Sequence, residues 1–170
     1  MIAQAVICGS RYAVVSPDAQ IYDVESYQPA GCVGQLMYRV RSAQMSALDE
    51  ALAQDPDLAP LEISAAQYII ISVLAKRGVD SPAQLCNDLS YDAGAMTRMV
   101  DRLEAKGLIN RRRCPDDRRC VKLELSEAGQ AALPKLRACS VRVLNRFLRG
   151  FSHEEARQLE GFMSRMLQNA

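Results

Sequence analysis

The chain is poor in the residues from which most catalytic and metal centres are built. It has one histidine, His153, in 170 residues, and zinc sites and hydrolase triads usually draw on imidazole from more than one position or pair it with a nucleophile motif. His153 instead reads as a first-turn residue of a surface helix. The six cysteines, Cys8, Cys32, Cys86, Cys114, Cys120 and Cys139, include no C-x-x-C pair, which removes the basic signal of zinc ribbons and thioredoxin-like motifs. There is no glycine-rich phosphate loop, no G-x-S-x-G and no cluster of metal ligands, so neither an enzyme nor a cofactor is expected. Tryptophan is absent and phenylalanine occurs three times. No window approaches the ~18 consecutive apolar residues of a membrane-spanning helix. The short apolar run at Ala5–Cys8 has no basic segment before it and is too brief for a secretion signal. The expectation is a reducing cytosol, with all six thiols buried and inert.

What is present is a helical composition with one patch of concentrated charge. From Cys32 onward Ala, Leu, Met, Arg and Glu dominate, which favours a mainly α-helical fold. Between Arg98 and Lys122 stand nine Lys or Arg against four Asp or Glu, a net +5, whereas the whole chain carries only +1 and the remainder therefore −4. Charge localised in this way suits phosphate binding, whereas scattered charge only aids solubility.

The periodicities order the elements. Residues 1–31 mix Gly, Pro, Ser and Tyr with short β-branched runs and read as an arm whose order the sequence leaves open, either flexible or packed on a partner subunit. Val33, Leu36, Met37, Val40, Ala47, Leu48 and Ala51 then fall near one face of a first helix ending by Pro56. Ser64 with Gln67 forms a capping box opening the very apolar run AAQYIIISVLAKR, and Gly78 stops it. Ser81, Pro82 and Gln84 start a short third helix, and Asp92 caps a fourth running to Lys106 with Gly107 as its terminal glycine. The short connection between these two is a helix-turn-helix arrangement. Leu108–Arg113 and Cys120–Leu125 flank CPDDRR and read as a β-hairpin wing. Ser126 caps a long helix in which Pro134 predicts a kink or a break. Ser152 and Glu155 box the last helix, which carries Leu159, Phe162, Met163 and Met166 on one side.

On the fourth helix Met96, Met99, Val100 and Leu103 form a docking face, while Tyr91, Gly94, Arg98, Asp101 and Arg102 fall on the other. A projecting face of this kind suits a DNA major groove, where Arg98 or Arg102 can donate two hydrogen bonds to guanine. Thr97 completes the DNA-facing set, and the small Gly94 and Ala95 allow close approach of the helix N-terminus. At the hairpin, Arg111, Arg112 and Arg113 are placed to meet backbone phosphates, while Arg118 and Arg119 beside Asp117 suit a minor groove.

The string TRMVDRLEAKGLINRR followed by DDRRCVKLELSEAGQ resembles the winged helix-turn-helix of the MarR family of bacterial transcription regulators. The resemblance runs over about residues 33–168 in helix order and is most specific from Thr97 to Gly129. It implies a mainly α fold with a small β-hairpin wing and an α-helical dimerisation layer. The organisation would be an arm at 1–31, a dimerisation region at 32–56 and 126–170, and a DNA-binding region at 57–125. It also implies a homodimer on a pseudo-palindromic operator in double-stranded DNA, with residues 92–106 as the recognition helix and Asp117 and Arg119 as paired wing residues. The long arm and Pro134 depart from the family pattern.

Many regulators of this kind release DNA when a phenol or aromatic acid, of benzoate, salicylate or nicotinate type, binds between the first, second and penultimate helices. A site for such an anion needs one cation and hydrogen-bond donors on an apolar wall. Arg39 is the expected carboxylate partner, with Gln35, Tyr38 and Tyr68 as donors or walls. Two alternatives stand beside this reading: a cysteine-based redox-responsive regulator, with Cys32 near the relevant region, and a winged-helix module that binds protein or RNA.

Overall fold

The computed structural model describes residues 20–113 and 121–169, with the backbone alone at residues 79, 80 and 113. It divides into two compact units, one reaching to Tyr38 and one starting at Arg39. In the first unit, Asp23 closes a tight turn by accepting the backbone N–H groups of Glu25 and Ser26 at 3.1 and 2.8 Å. The Tyr22 hydroxyl accepts from Val33 N at 3.1 Å, and the Tyr22 and Tyr27 rings meet edge to face with centroids 5.8 Å apart. Helix α1 (Val33–Gln54) begins in this unit and continues into the second.

The second unit is built from α2 (Ala65–Arg77), β1 (Val79–Asp80), α3 (Pro82–Leu89), α4 (Ala93–Ala105), β2 (Ile109–Arg113), β3 (Val121–Leu125), α5 (Glu127–Phe147) and α6 (His153–Gln168), after the later turns of α1. A short 3-10 turn at Ala59–Leu61 leads into α2. The helix starts are fixed by side chains, which satisfy first-turn N–H groups that have no partner inside the helix. Ser64 and Gln67 form the reciprocal box of α2, and Asp49 from α1 accepts the N–H of Ala65 at 2.6 Å. Ser81, Asp92, Ser126 and Ser152 cap α3, α4, α5 and α6, with the reciprocal box present again at Ser152 and Glu155.

The core is one apolar cluster. Ile70, Ile71 and Leu74 of α2, Leu85 of α3, Met96 and Leu103 of α4, Leu123 of β3 and Leu136 and Cys139 of α5 are fully buried. Ala47, Leu48 and Leu52 carry α1 into the same cluster. Hydrophobic burial of this kind dominates the stability of a small domain.

The strands form a three-stranded antiparallel sheet in the order β1-β3-β2. The sequence reading anticipated β2 and β3 but not β1, a two-residue strand pairing Val79 with Glu124 and Asp80 with Leu123. The expected break at Pro134 does not occur, since α5 runs through it without interruption. Proline removes the bond to the carbonyl four residues back, here that of Gln130. Both Pro134 and Gln130 are exposed, so water can take that carbonyl.

Candidate nucleic-acid interface

The turn between α3 and α4 is made by Ser90, whose φ of 53° is left-handed, and by Tyr91 N donating to Cys86 O at 3.2 Å. Asp92 accepts from Ala95 N at 2.8 Å and starts α4. One face of α4 is buried through Met96, Val100 and Leu103, with Met99 half-buried, as the periodicity predicts. Gly94, Thr97, Arg98, Asp101 and Arg102 project, and Ala95 is half-buried. Thr97 donates its hydroxyl to Ala93 O at 2.7 Å, which leaves the oxygen lone pairs facing outward. A side chain at position 94 would lie 3.2 Å from Asp92 Oδ1 and 3.4 Å from an Arg98 guanidinium nitrogen, so Gly94 gives Arg98 its room. Among the described residues neither Arg98 nor Arg102 has a carboxylate partner. Their charge is therefore not internally neutralised.

The wing follows directly. Its register pairs Ile109 with Leu125, Arg111 with Leu123 and Arg112 with Lys122. Alternation sends Ile109 and Arg111 to one face and Asn110 and Arg112 to the other. Ile109, Leu123 and Leu125 are buried and anchor the hairpin. Two of the three arginines expected to meet phosphates are already paired. The Arg111 guanidinium bridges Asp101 and Glu104 of α4, the latter at 3.1 Å. Arg112 reaches Glu124 at 2.5 Å while its side chain stays 73% exposed. For Arg113 only the backbone is described, and the Asp117, Arg118 and Arg119 assignments lie outside the described residues.

A close approach that the sequence did not announce holds this unit to α5. An added Cβ at Gly129 would stand 2.1 Å from Leu108 O. The same carbonyl accepts Ser126 N at 3.1 Å, and the Ser126 hydroxyl donates to Gly107 O at 2.5 Å. The first turn of α5 thus rests on the junction between α4 and the wing.

Of the expected effector residues, Gln35, Tyr38 and Arg39 are exposed, and Tyr68 is half-buried against the core. None of them lines the two largest concavities described. One, of about 720 Å³, runs between α1 and α5 and is bordered by Glu50, Gln54, Arg142, Arg146 and Arg149. The other, of about 610 Å³, lies at the wing base between Arg112, Glu124 and Gln130.

Of the thiols expected to be buried, Cys139 is, whereas Cys32 and Cys86 are only partly so. Burial pushes the Cys139 thiol up, although Arg142 lies 3.2 Å from its sulfur. Cys32 is partly exposed just before α1, and its Sγ lies 3.5 Å from the Tyr27 hydroxyl and accepts from Gln35 N at 3.5 Å. The Tyr27 hydrogen bond first, and the Gln35 N–H second, hold the Cys32 thiol below its ordinary value. The same neighbour pushes Tyr27 up. No local motif marks this thiol, because its partner lies in the irregular arm. Cys8, Cys114 and Cys120 lie outside the described residues.

A two-helix turn, a helix with one buried and one cationic face, and an antiparallel wing beside it define a winged helix-turn-helix protein. A family model described as the MarR family matches residues 63–121. The multiple antibiotic resistance protein MarR of Salmonella typhimurium is 36% identical over 99 residues, covering 58% of this chain and 65% of that protein, and the Escherichia coli protein of the same name is 35% identical over the same share. The aligned stretch thus spans 65% of the length of these relatives. Among solved structures, wild-type apo MarR from E. coli is 28% identical with a TM-score of 0.65, covering 80% of this chain and 96% of its own. A MarR variant from E. coli complexed with operator DNA is 29% identical with a TM-score of 0.68, covering 79% and 92%. A regulator from Methanosarcina mazei, 18% identical over 81% of this chain and 94% of its own, shares the fold with a TM-score of 0.73. Residues 63–121 thus match the MarR family, and the fold over most of the chain is that of solved MarR structures.

Proposed function

We propose that the protein is a homodimeric, sequence-specific DNA-binding regulator of transcription, a repressor released by a small aromatic acid or phenol. The observation that carries DNA binding is the projecting face of α4, where Arg98 and Arg102 stand exposed without carboxylate partners among the described residues. A guanidinium so placed can read guanine O6 and N7 in a major groove. The operator complex of the E. coli relative supports this reading. Gly94, Ala95 and Thr97 line the approach, and Arg112, Arg113, Asp117, Arg118 and Arg119 serve the backbone and the adjacent minor groove.

Dimerisation is supported by exposed apolar surface. Helix α6 buries none of its residues, yet Leu159, Phe162, Met163 and Met166 line one side. Val141 and Leu144 of α5 and Val33, Leu36 and Val40 of α1 are likewise 40–54% exposed. Large apolar side chains left exposed in such number ordinarily mark an interface. Two α4 helices related by a twofold axis then meet half-sites about one helical turn, ~10 bp, apart.

The effector reading rests on Arg39 as carboxylate partner with Gln35, Tyr38 and Tyr68. A ligand that prefers a different separation of the two DNA-binding lobes lowers operator affinity by no more than its differential affinity for the two states. The redox alternative is favoured by one observation, the lowered thiol of Cys32 beside Tyr27. Gel shifts on a duplex selected by the protein from a random pool test the proposal, with and without benzoate, salicylate, nicotinate or peroxide. Absence of any duplex binding at low salt would reject the DNA-binding reading, and indifference to the acids would reject Arg39 as their partner.

A further inference from the structure

We propose that Arg111 is a positioning residue that clamps the wing to the recognition helix, and that it is not a phosphate contact; the inference rests on the DNA-binding reading above. Arg111 leaves β2 on the same face as Ile109 and forks between two carboxylates of α4, Asp101 through one terminal nitrogen and Glu104 through the other. Asp101 and Glu104 are three residues apart and so are neighbours on the helix surface. A planar guanidinium held by two carboxylates has its orientation fixed, which a single surface pair does not achieve.

Two further features give the clamp work to do. The chain passes from α4 to β2 through Lys106–Leu108, with Gly107 at a φ of 67°, a short left-handed pivot. Between the two elements lies a crevice of about 240 Å³ lined by Pro82, Thr97, Val100, Arg111 and Val121. Packing is therefore incomplete between the first half of α4 and the wing strands, and Arg111 borders that place. Charge points the same way. One guanidinium against two carboxylates leaves the cluster at −1, which does not attract a phosphate.

The test combines hydrogen exchange of the full-length free protein with DNA titration. The variants are Arg111→Gln, the double change Asp101→Asn with Glu104→Gln, the charge swap Arg111→Asp with Asp101→Arg, and Arg112→Gln for comparison. Loosening of the wing is expected to raise exchange in peptides covering 109–113 and 121–125 by roughly threefold or more in the first two, with α2 and α5 unchanged and the swap restoring protection. On a duplex selected by the wild-type protein from a random pool, both should bind about threefold to tenfold more weakly. Arg111→Gln should keep the wild-type salt slope, while Arg112→Gln lowers it by about 0.9, the value of one phosphate contact. Unchanged wing exchange, failure of the swap to restore it, a salt slope lowered by about 0.9 in Arg111→Gln, or tighter binding by the double carboxamide variant would each overturn the clamp. Wild-type protein that binds no duplex would reject the DNA-binding reading and with it the positioning role, while the exchange arm would still decide whether Arg111 holds the wing.

Discussion

Gly129→Ala is expected to destabilise the protein, against the ordinary direction for a glycine inside a helix. In an open helix the change stabilises by up to about 1 kcal/mol, because alanine loses less backbone entropy on folding. Here the new Cβ would lie 2.1 Å from Leu108 O, and ordinary contact begins at 3.4 Å, so the two must separate by about 1.3 Å. The obstacle is backbone, and it is itself engaged: Leu108 O accepts Ser126 N at 3.1 Å. Overpacking of this kind costs about 1–3 kcal/mol, and loosening the hydrogen bond adds roughly 0.5–1.5 kcal/mol. Offset by a helix gain of about 1 kcal/mol, the net expectation is a loss of roughly 0.5–3.5 kcal/mol in urea unfolding at fixed protomer concentration. Gly161→Ala serves as the matched control. It lies within α6, opposite the apolar stripe, with nothing within 4 Å of the added atom, and is expected to be neutral or stabilising by up to about 1 kcal/mol. A stabilised Gly129→Ala would refute the claim that α5 rests on the α4–wing junction.

Other outcomes follow from the same geometry. Arg98→Ala and Arg102→Ala should each relax base preference at particular operator positions by about 1–3 kcal/mol of discrimination, measured by titrating single-base variants of the duplex. Leu103→Ala, at a fully buried position of α4, should cost about 2–5 kcal/mol in urea unfolding. Cys32 should alkylate at neutral pH faster than an unperturbed thiol, since its lowered value leaves more thiolate present. Removing the Tyr27 hydroxyl in Tyr27→Phe should move the midpoint of its rate–pH profile upward, while Cys139 stays unreactive in the folded protein. An unchanged midpoint would remove the hydrogen bond as the cause.

Much of this molecule can be read from local pattern, because its helix starts are local events. Ser64, Asp92, Ser126 and Ser152 each accept an N–H three residues ahead, so spacing alone reveals them. The two long wing strands also emerge from composition. What escaped depends on distance. β1 has two residues and no alternation to detect, and it exists because β3 offers it a pairing edge. The run of three arginines at 111–113 looked uniformly available for phosphate, yet the pleat turns Arg111 toward Asp101 and Glu104 and Arg112 toward Glu124. The Gly129 contact joins residues 21 positions apart by number and has no signature beyond the glycine itself. Pro134 does not break α5 because its lost hydrogen bond falls on an exposed turn. The tip residues Asp117, Arg118 and Arg119 rest on the family resemblance.

The central claim is that α4 and the wing present one cationic face to duplex DNA, doubled by a twofold axis. Hydroxyl-radical and base-methylation footprinting on a selected duplex tests it most directly. The expected result is two protected major-groove segments about one helical turn apart, each flanked by minor-groove protection, with Arg98→Ala and Arg102→Ala exposing guanines inside the segments. Uniform reactivity along the duplex at low salt, or a single protected segment unchanged by either substitution, would contradict it.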